Sequence, residues 1–266
     1  MFRRFLAFAR STAKKIEATK KSWVWRHRKS KDSNPESVVA NILIVKNPIY
    51  AKVGRVCVES FLYYHPNAIV KLHVDDKTRQ AVKTEILDRN ISQKISLVAV
   101  PTQFSTWQEQ KIELILSLSG TNEFFMDADL RWNSGIKTIS EVTFYVNEFF
   151  LREKSPFRQI LESFRGGKYK SAMMRNTSFF TFGGHQIETQ ALFDVKQIED
   201  ELLVLIKSDL LGSIDRDQVA RLSEQLALSL ASEDWNTPIK TLKESDGHKD
   251  GAFVESSYFG ATGSTC

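Results

Sequence analysis

Cysteine is nearly absent. Cys57 and Cys266 are the only two in the chain, which excludes a disulfide framework and any zinc-ligand spacing and fits a reducing compartment. Cys57, in "GRVCVESF", reads as a small buried hydrophobe. No apolar run approaches the roughly 20 residues of a membrane-spanning helix. The segment after the first expected strand, "KNPIYAKVG", has neither a P-loop nor a Rossmann glycine fingerprint. G-x-S-x-G, the nucleophile elbow of serine hydrolases, does not occur. Internal repeats and low-complexity blocks are also lacking.

Charge of one sign is scarce in one place only. Residues 1–31 hold eleven Lys or Arg against a single acid, Glu17. The net charge of +5 therefore belongs to this segment, because residues 32–266 carry 26 basic and 31 acidic groups. A domain built to bind nucleic acid would spread basic charge over its folded surface, so none is expected as a partner. At helical spacing Phe2, Phe5, Leu6, Ala9, Ala13 and Ile16 share a face, with basic residues around them and Trp23 and Trp25 beyond. Such a helix can lie on an anionic membrane surface or meet an acidic partner. It can equally pack on the body or remain a basic tail. It lacks the apolar core and cleavage site of a secretory signal. The expected location is cytoplasmic, peripheral at the inner face of a membrane.

What is present is alternation. A polar, Pro-containing linker (32–37) follows the appendage. Then come a β-branched run (38–47), a helical pattern (51–66), a strand ending in two acids (68–76), a polar amphipathic helix (77–90), a third strand (94–101), a helix (107–120) with Gly120 in a stop position, and "EFFMDAD" as a fourth strand. Strand–helix alternation predicts an α/β domain with a largely parallel sheet. The second half reads as strands at 141–150, 168–175 and 178–184, helices at 191–212 and 218–233, and an irregular Gly- and Ser-rich tail.

Ligands of open α/β sheets bind at the carboxyl ends of the strands. Acids collect at two such ends, Asp75 with Asp76, and Asp127 with Asp129. Strand residues two apart face the same way, so Asp127 and Asp129 are expected to converge, with no basic neighbour before Arg131. They would repel unless solvated or bridged by a cation, and all-oxygen ligation suits Mg²⁺ or Mn²⁺.

A first α/β half closing on hydrophobic-hydrophobic-x-Asp-x-Asp resembles the nucleotide-sugar glycosyltransferases of the GT-A fold. The resemblance covers about residues 40–260. It implies a GT-A-like (Rossmann-like) mixed, largely parallel sheet flanked by helices. It also implies one catalytic domain over 38–266, with a nucleotide-binding half (38–133) and an acceptor-binding half (134–266). The implied activity is metal-assisted transfer of a sugar from a nucleotide-diphosphate donor, a UDP-sugar, to a hydroxyl of a glycan, polysaccharide or lipid-linked acceptor. By resemblance Asp127 and Asp129 hold Mn²⁺ or Mg²⁺, and His248, in "DGHKDG", is the third ligand, although the Lys-Pro-Trp of that signature is missing. Asp75, Asp76 and Lys111 would contact the nucleotide; for each, a cap or a solvated lysine is the competing reading. Gly183, Gly184 and His185 would line the sugar cleft, or form a turn. Glu224 would be the general base, with Asp215, Asp217 and Asp234 meeting the same requirement. A nucleotidyltransferase, or a catalytically silent membrane-associated adaptor keeping the fold, are the alternatives.

Overall fold

The computed structural model describes residues 38–87, 94–100, 106–132, 139–149, 156–170, 172–207, 222–241 and 254–256. The N-terminal appendage, the linker, Asp215, Asp217 and His248 lie outside the described residues.

The first half follows the expected alternation. It runs β1 (Val39–Ile44), α1 (Ile49–Tyr64), β2 (Ile69–Val74), α2 (Asp76–Glu85), β3 (Ile95–Ala99), α3 (Trp107–Ser117) and β4 (Phe124–Asp127). Local chemistry starts two of the helices. Asp75 caps α2 by accepting from the Thr78 amide at 2.9 Å, and Thr106 with Glu109 forms a capping box on α3; each cap contributes about 1 kcal/mol. Beyond β4 come β5 (Leu130–Trp132), β6 (Val142–Phe149), α4 (Pro156–Ser163) with a 3₁₀ turn (Phe164–Gly167), β7 (Met174–Thr181), α5 (Thr189–Lys207), α6 (Ser223–Ser232), β8 (Ile239–Thr241) and β9 (Val254–Ser256).

The strands form a seven-stranded sheet ordered β3-β2-β1-β4-β7-β6-β8, and β5 pairs with β9 in a second, two-stranded sheet. In the large sheet only β7 runs against the rest. This is the mixed, largely parallel α/β architecture, flanked by helices, that the GT-A-like reading expects. β4 is the middle strand, and its alternation feeds both layers. Phe124 and Met126 join Phe61, Val58 and Leu72 on one face; Phe125 joins Ile112, Ile115, Phe180 and Leu226 on the other. Fully burying one such side chain contributes about 1.5–3 kcal/mol, so β4 is fixed rigidly on both sides.

Several second-half expectations are corrected. Residues 168–170 form a turn, and the strand there starts at Met174 and continues to Thr181. The tail contributes β9 where irregular chain was expected, and β8 forms just before it in a stretch that was given no element.

Candidate functional site

Asp127 closes β4 at its carboxyl end, in register with Leu43 of the parallel neighbour β1. The strand stops there. Ala128 and Asp129 form a turn, and the chain leaves to build β5, whose Trp132 is buried against Phe61, His65 and Phe179. The two carboxylates are therefore not strand neighbours, as the i, i+2 reading expected. They still interact. Burial, then the charge of Asp127, pushes the Asp129 carboxyl up to about 7, against a smaller opposing pull from Lys111.

The basic neighbour that linear distance concealed is Lys111, in the first turns of α3. Its Nζ lies 3.0 Å and 3.2 Å from the two carboxylate oxygens of Asp127 and 3.5 Å from Glu224 Oε1. Its side chain is 4% exposed, so it is not a solvated helical lysine. The ammonium sits 5.2 Å from the Phe125 ring centre. Burial pulls the Lys111 pKa down, but Asp127 and Glu224 outweigh it and the net direction is up.

Glu224 enters from the first turn of α6 and is 2% exposed. Burial raises its pKa, Lys111 opposes, Asp127 adds to the rise, and the net direction is up. Its Oε2 has no hydrogen-bond partner among the described residues. Behind it Glu199 of α5, 4% exposed, accepts from Ser223 Oγ at 3.1 Å and is pushed up to about 7, chiefly by burial. Cys57 lies under the motif with Sγ 3.6 Å from the Asp127 carbonyl. Burial and the two aspartates raise its thiol pKa, so it is an inert hydrophobe, as its sequence context implies.

The structure thus brings together Lys111, Asp127, Asp129 and Glu224. It places the other candidates elsewhere or in structural roles. Asp75 spends one carboxylate oxygen on the Thr78 amide and hydroxyl and the other on the Lys46 amide at 2.7 Å. This second bond holds the left-handed Lys46 (φ 65°) of the β1–α1 loop. Asp76 is exposed beside Arg79. Gly183, Gly184 and His185 fall at the amino end of β4. The Gly184 amide bonds the Thr121 carbonyl at 3.0 Å, and Gly120 N–H bonds the His185 carbonyl at 2.9 Å. Six residues of extended chain, about 20 Å, separate Thr121 from Asp127. The glycines are there for the turn: Gly183 has φ +58°, and a Cβ on it would meet the Glu141 backbone at 2.5 Å. Asp234 belongs to the same end, where it accepts from Lys168 at 2.6 Å and Tyr169 at 2.8 Å.

Residues the sequence reading passed over also stand at the carboxyl end. Ile49 and Tyr50, in the first turn of α1, are about 40% exposed after β1. An exposed apolar residue next to an exposed aromatic, just past a central strand, was the signal available.

No protein-family model matches the chain, and no curated protein does. Among solved structures it is similar to the galactosyltransferase LgtC in complex with donor and acceptor sugar analogs, at 14% identity over 77% of this chain and 73% of that one, with a TM-score of 0.48. An active-site mutant of LgtC gives 14% identity, 77% and 72% coverage, and a TM-score of 0.47. At that similarity no residue role transfers between the chains.

Proposed function

We propose that this chain is a glycosyltransferase that takes a nucleotide-diphosphate sugar, a UDP-sugar, at the carboxyl ends of β1 and β4 and passes the sugar to a hydroxyl acceptor. The observation that carries this reading is one ammonium crowded with three carboxylates at the end of the middle strand, Lys111 and Glu224 buried and Asp127 and Asp129 half-buried. Structural charges are ordinarily paired and exposed; crowded, buried ones with displaced pKa values concentrate where chemistry is done.

The residues fit a divalent cation. Asp129 is pushed up by burial and by Asp127, a like-charge conflict that a cation would relieve. Asp127 and Asp129 would hold it. Among the described residues no set of three His, Cys, Asp or Glu is placed to hold a metal, so water and diphosphate oxygens would fill the other positions, as Mg²⁺ favours. Such an ion would supply Lewis-acid stabilisation of the departing diphosphate.

The protein's own groups do the remaining work. Lys111 orients Asp127 through both its oxygens, so that the carboxylate does not swing when a ligand arrives. Its ammonium also adds fixed positive charge near the developing diphosphate. Glu224 offers an unpaired buried oxygen and a raised pKa, which suit a proton acceptor for the attacking hydroxyl. Tyr50 and Ile49 offer an apolar surface for the nucleotide base. Residues 1–31 would bring the enzyme to an anionic membrane carrying its acceptor; no helix among the described residues is long and apolar enough to cross one. Equal partitioning of the full chain and residues 32–266 onto anionic liposomes would remove that last element.

Calorimetry with UDP, with and without Mn²⁺, tests the central reading. Binding strengthened by Mn²⁺ and weakened at least about tenfold, 1.4 kcal/mol, in Asp127→Ala and Asp129→Ala is expected. UDP binding indifferent to both substitutions would overturn it.

A further inference from the structure

A recess lies beside the amino-terminal half of α5 and the end of α6. It has a volume of about 230 Å³ and is lined by the 3₁₀ turn, the first three turns of α5 and the end of α6. Its floor is apolar and buried: Tyr169, Ile198, Ala231 and Trp235 are at most 8% exposed. Its rim carries Glu188, Gln190, Asp194, Asp234 and Arg165. α6 separates it from the Lys111 cluster. Glu224 opens that helix and Asp234 follows its end, ten residues or about 15 Å along the axis.

The recess is too small for a nucleotide and suits one ring. Pockets for drug-sized ligands begin at about 300 Å³. The charge of the rim excludes phosphate. Arg165 is held by Glu201 through two bonds of 2.7 Å and 2.8 Å, and Asp234 is held by Lys168. Glu188 and Asp194 leave the lining net negative. A floor of aromatic and aliphatic carbon beneath a ring of carboxylate and amide groups matches one face of C–H bonds and an edge of hydroxyls. Arg165 also holds a left-handed backbone, φ 46°. Such strain persists in non-glycine residues only where the surroundings enforce it, and it concentrates at ligand sites.

We infer that this recess binds a single neutral or amine-bearing sugar residue, as a second saccharide site remote from the transfer site. The choice of a sugar over other polyols rests on the glycosyltransferase reading; the geometry and charge do not.

Saturation-transfer NMR with methyl β-glucoside, methyl β-galactoside and glucosamine, on the full chain, tests it. At least one probe should bind with a Kd on the order of 1 mM, glucosamine most tightly, and the signal should survive saturating UDP. Ala191→Phe, which fills the recess from a half-buried position in the first turn of α5, should remove the signal while far-UV dichroism stays unchanged. Asp194→Asn, of the same size, should remove the preference for the amine. Absence of signal from all three probes, or a signal undiminished in Ala191→Phe, would overturn the inference. Asp127→Ala separates the two readings: it should abolish UDP binding and leave the glycoside signal intact. Failure of UDP to bind the unaltered chain removes the transfer reading, and the glycoside signal then decides the recess alone.

Discussion

At the carboxyl end of β4, Lys111 is 4% exposed and serves Asp127 and Glu224 together, with Asp129 beside them; at the amino end, Lys168 is 52% exposed and serves Asp234. The amino end closes on short polar contacts as well. The Gly183 amide bonds Thr181 Oγ1, the Gly184 amide bonds Thr121, and the His185 ring bonds the Ser140 carbonyl. A third polar group, on β1 and β2, is equally well matched. Lys71 and Asn41 donate to Glu123, and Asn41 Oδ1 meets His73, whose pKa burial and Lys71 push down to about 4. Against these, the carboxyl end leaves a buried carboxylate oxygen with no hydrogen-bond partner among the described residues and carries more negative than positive charge. Where charges only build the fold, this protein pairs or exposes them; where they are crowded and buried, stability has been given up for something else.

Removing the ammonium should give the largest effect. Lys111→Met keeps the apolar stem over Phe125 but strands Asp127, Asp129 and Glu224 together. Breaking a buried pair in this way costs about 3–5 kcal/mol. Urea denaturation reads it directly. Lys111→Met combined with Glu224→Gln should cost less than the sum of the two singles, because the groups act as one network. Simple additivity would dissolve the contrast between the two ends.

Gly183→Ala strikes the amino end instead. The left-handed backbone and the Glu141 backbone 2.5 Å from the new methyl carbon predict a loss of about 3 kcal/mol. UDP affinity per folded molecule should not change, because the turn lies at the far end of β4. A stable variant with weakened UDP binding would return these glycines to the ligand cleft.

Glu199 probes the crowded end through pH. Its carboxyl is raised to about 7, chiefly by burial, with Glu224, Glu109 and Asp200 adding to the rise and the Ser223 hydroxyl opposing it. Between its unfolded value near 4.5 and 7, the folded chain holds a proton that the unfolded chain has released. Its contribution therefore diminishes as pH rises through that window and is lost above it. Glu199→Gln removes this dependence, and at pH 8 it should be more stable than the parent by about 2 kcal/mol, the gap closing near pH 4. Parallel curves in denaturant melts at pH 4, 6 and 8 would mean that Glu199 is not held protonated.

The sequence and the structure agree wherever one periodicity decides an element. The β-branched run became β1, Asp75 became a cap, and the three apolar residues before Asp127 became the stem of the middle strand. Elements of three residues, β5, β8 and β9, are too short for any period to register, and the Ser155-Pro156 start signal of α4 was passed over. Lys111 was legible as a basic residue near the site but not as a buried one. Only the close approach of α3, β4 and α6, from three separate parts of the chain, encloses its head group. Gly183 and Gly184 were misread because the freedom that admits a ligand is the same freedom that admits a left-handed turn. The fourth strand was read through Asp129 because nothing local says that β4 stops two residues earlier, at Asp127.

The smallest effect is expected at a pairing that looks tighter than that of Lys111. Lys168 and Asp234 lie 2.6 Å apart, closer than Lys111 and Asp127, and distance would rank the first of these two pairs above the second. Exposure reverses the order. Both side chains are about half exposed, so water and salt screen their attraction and would solvate either partner left alone. Lys168→Met should cost under about 1 kcal/mol, and less in 0.5 M salt. Tyr169 still donates to Asp234 after the change, which leaves the carboxylate a partner. A loss comparable to that of Lys111→Met, measured in the same urea titration, would mean that distance and not burial sets the worth of charge in this fold, and the contrast between its two ends would have no energetic content.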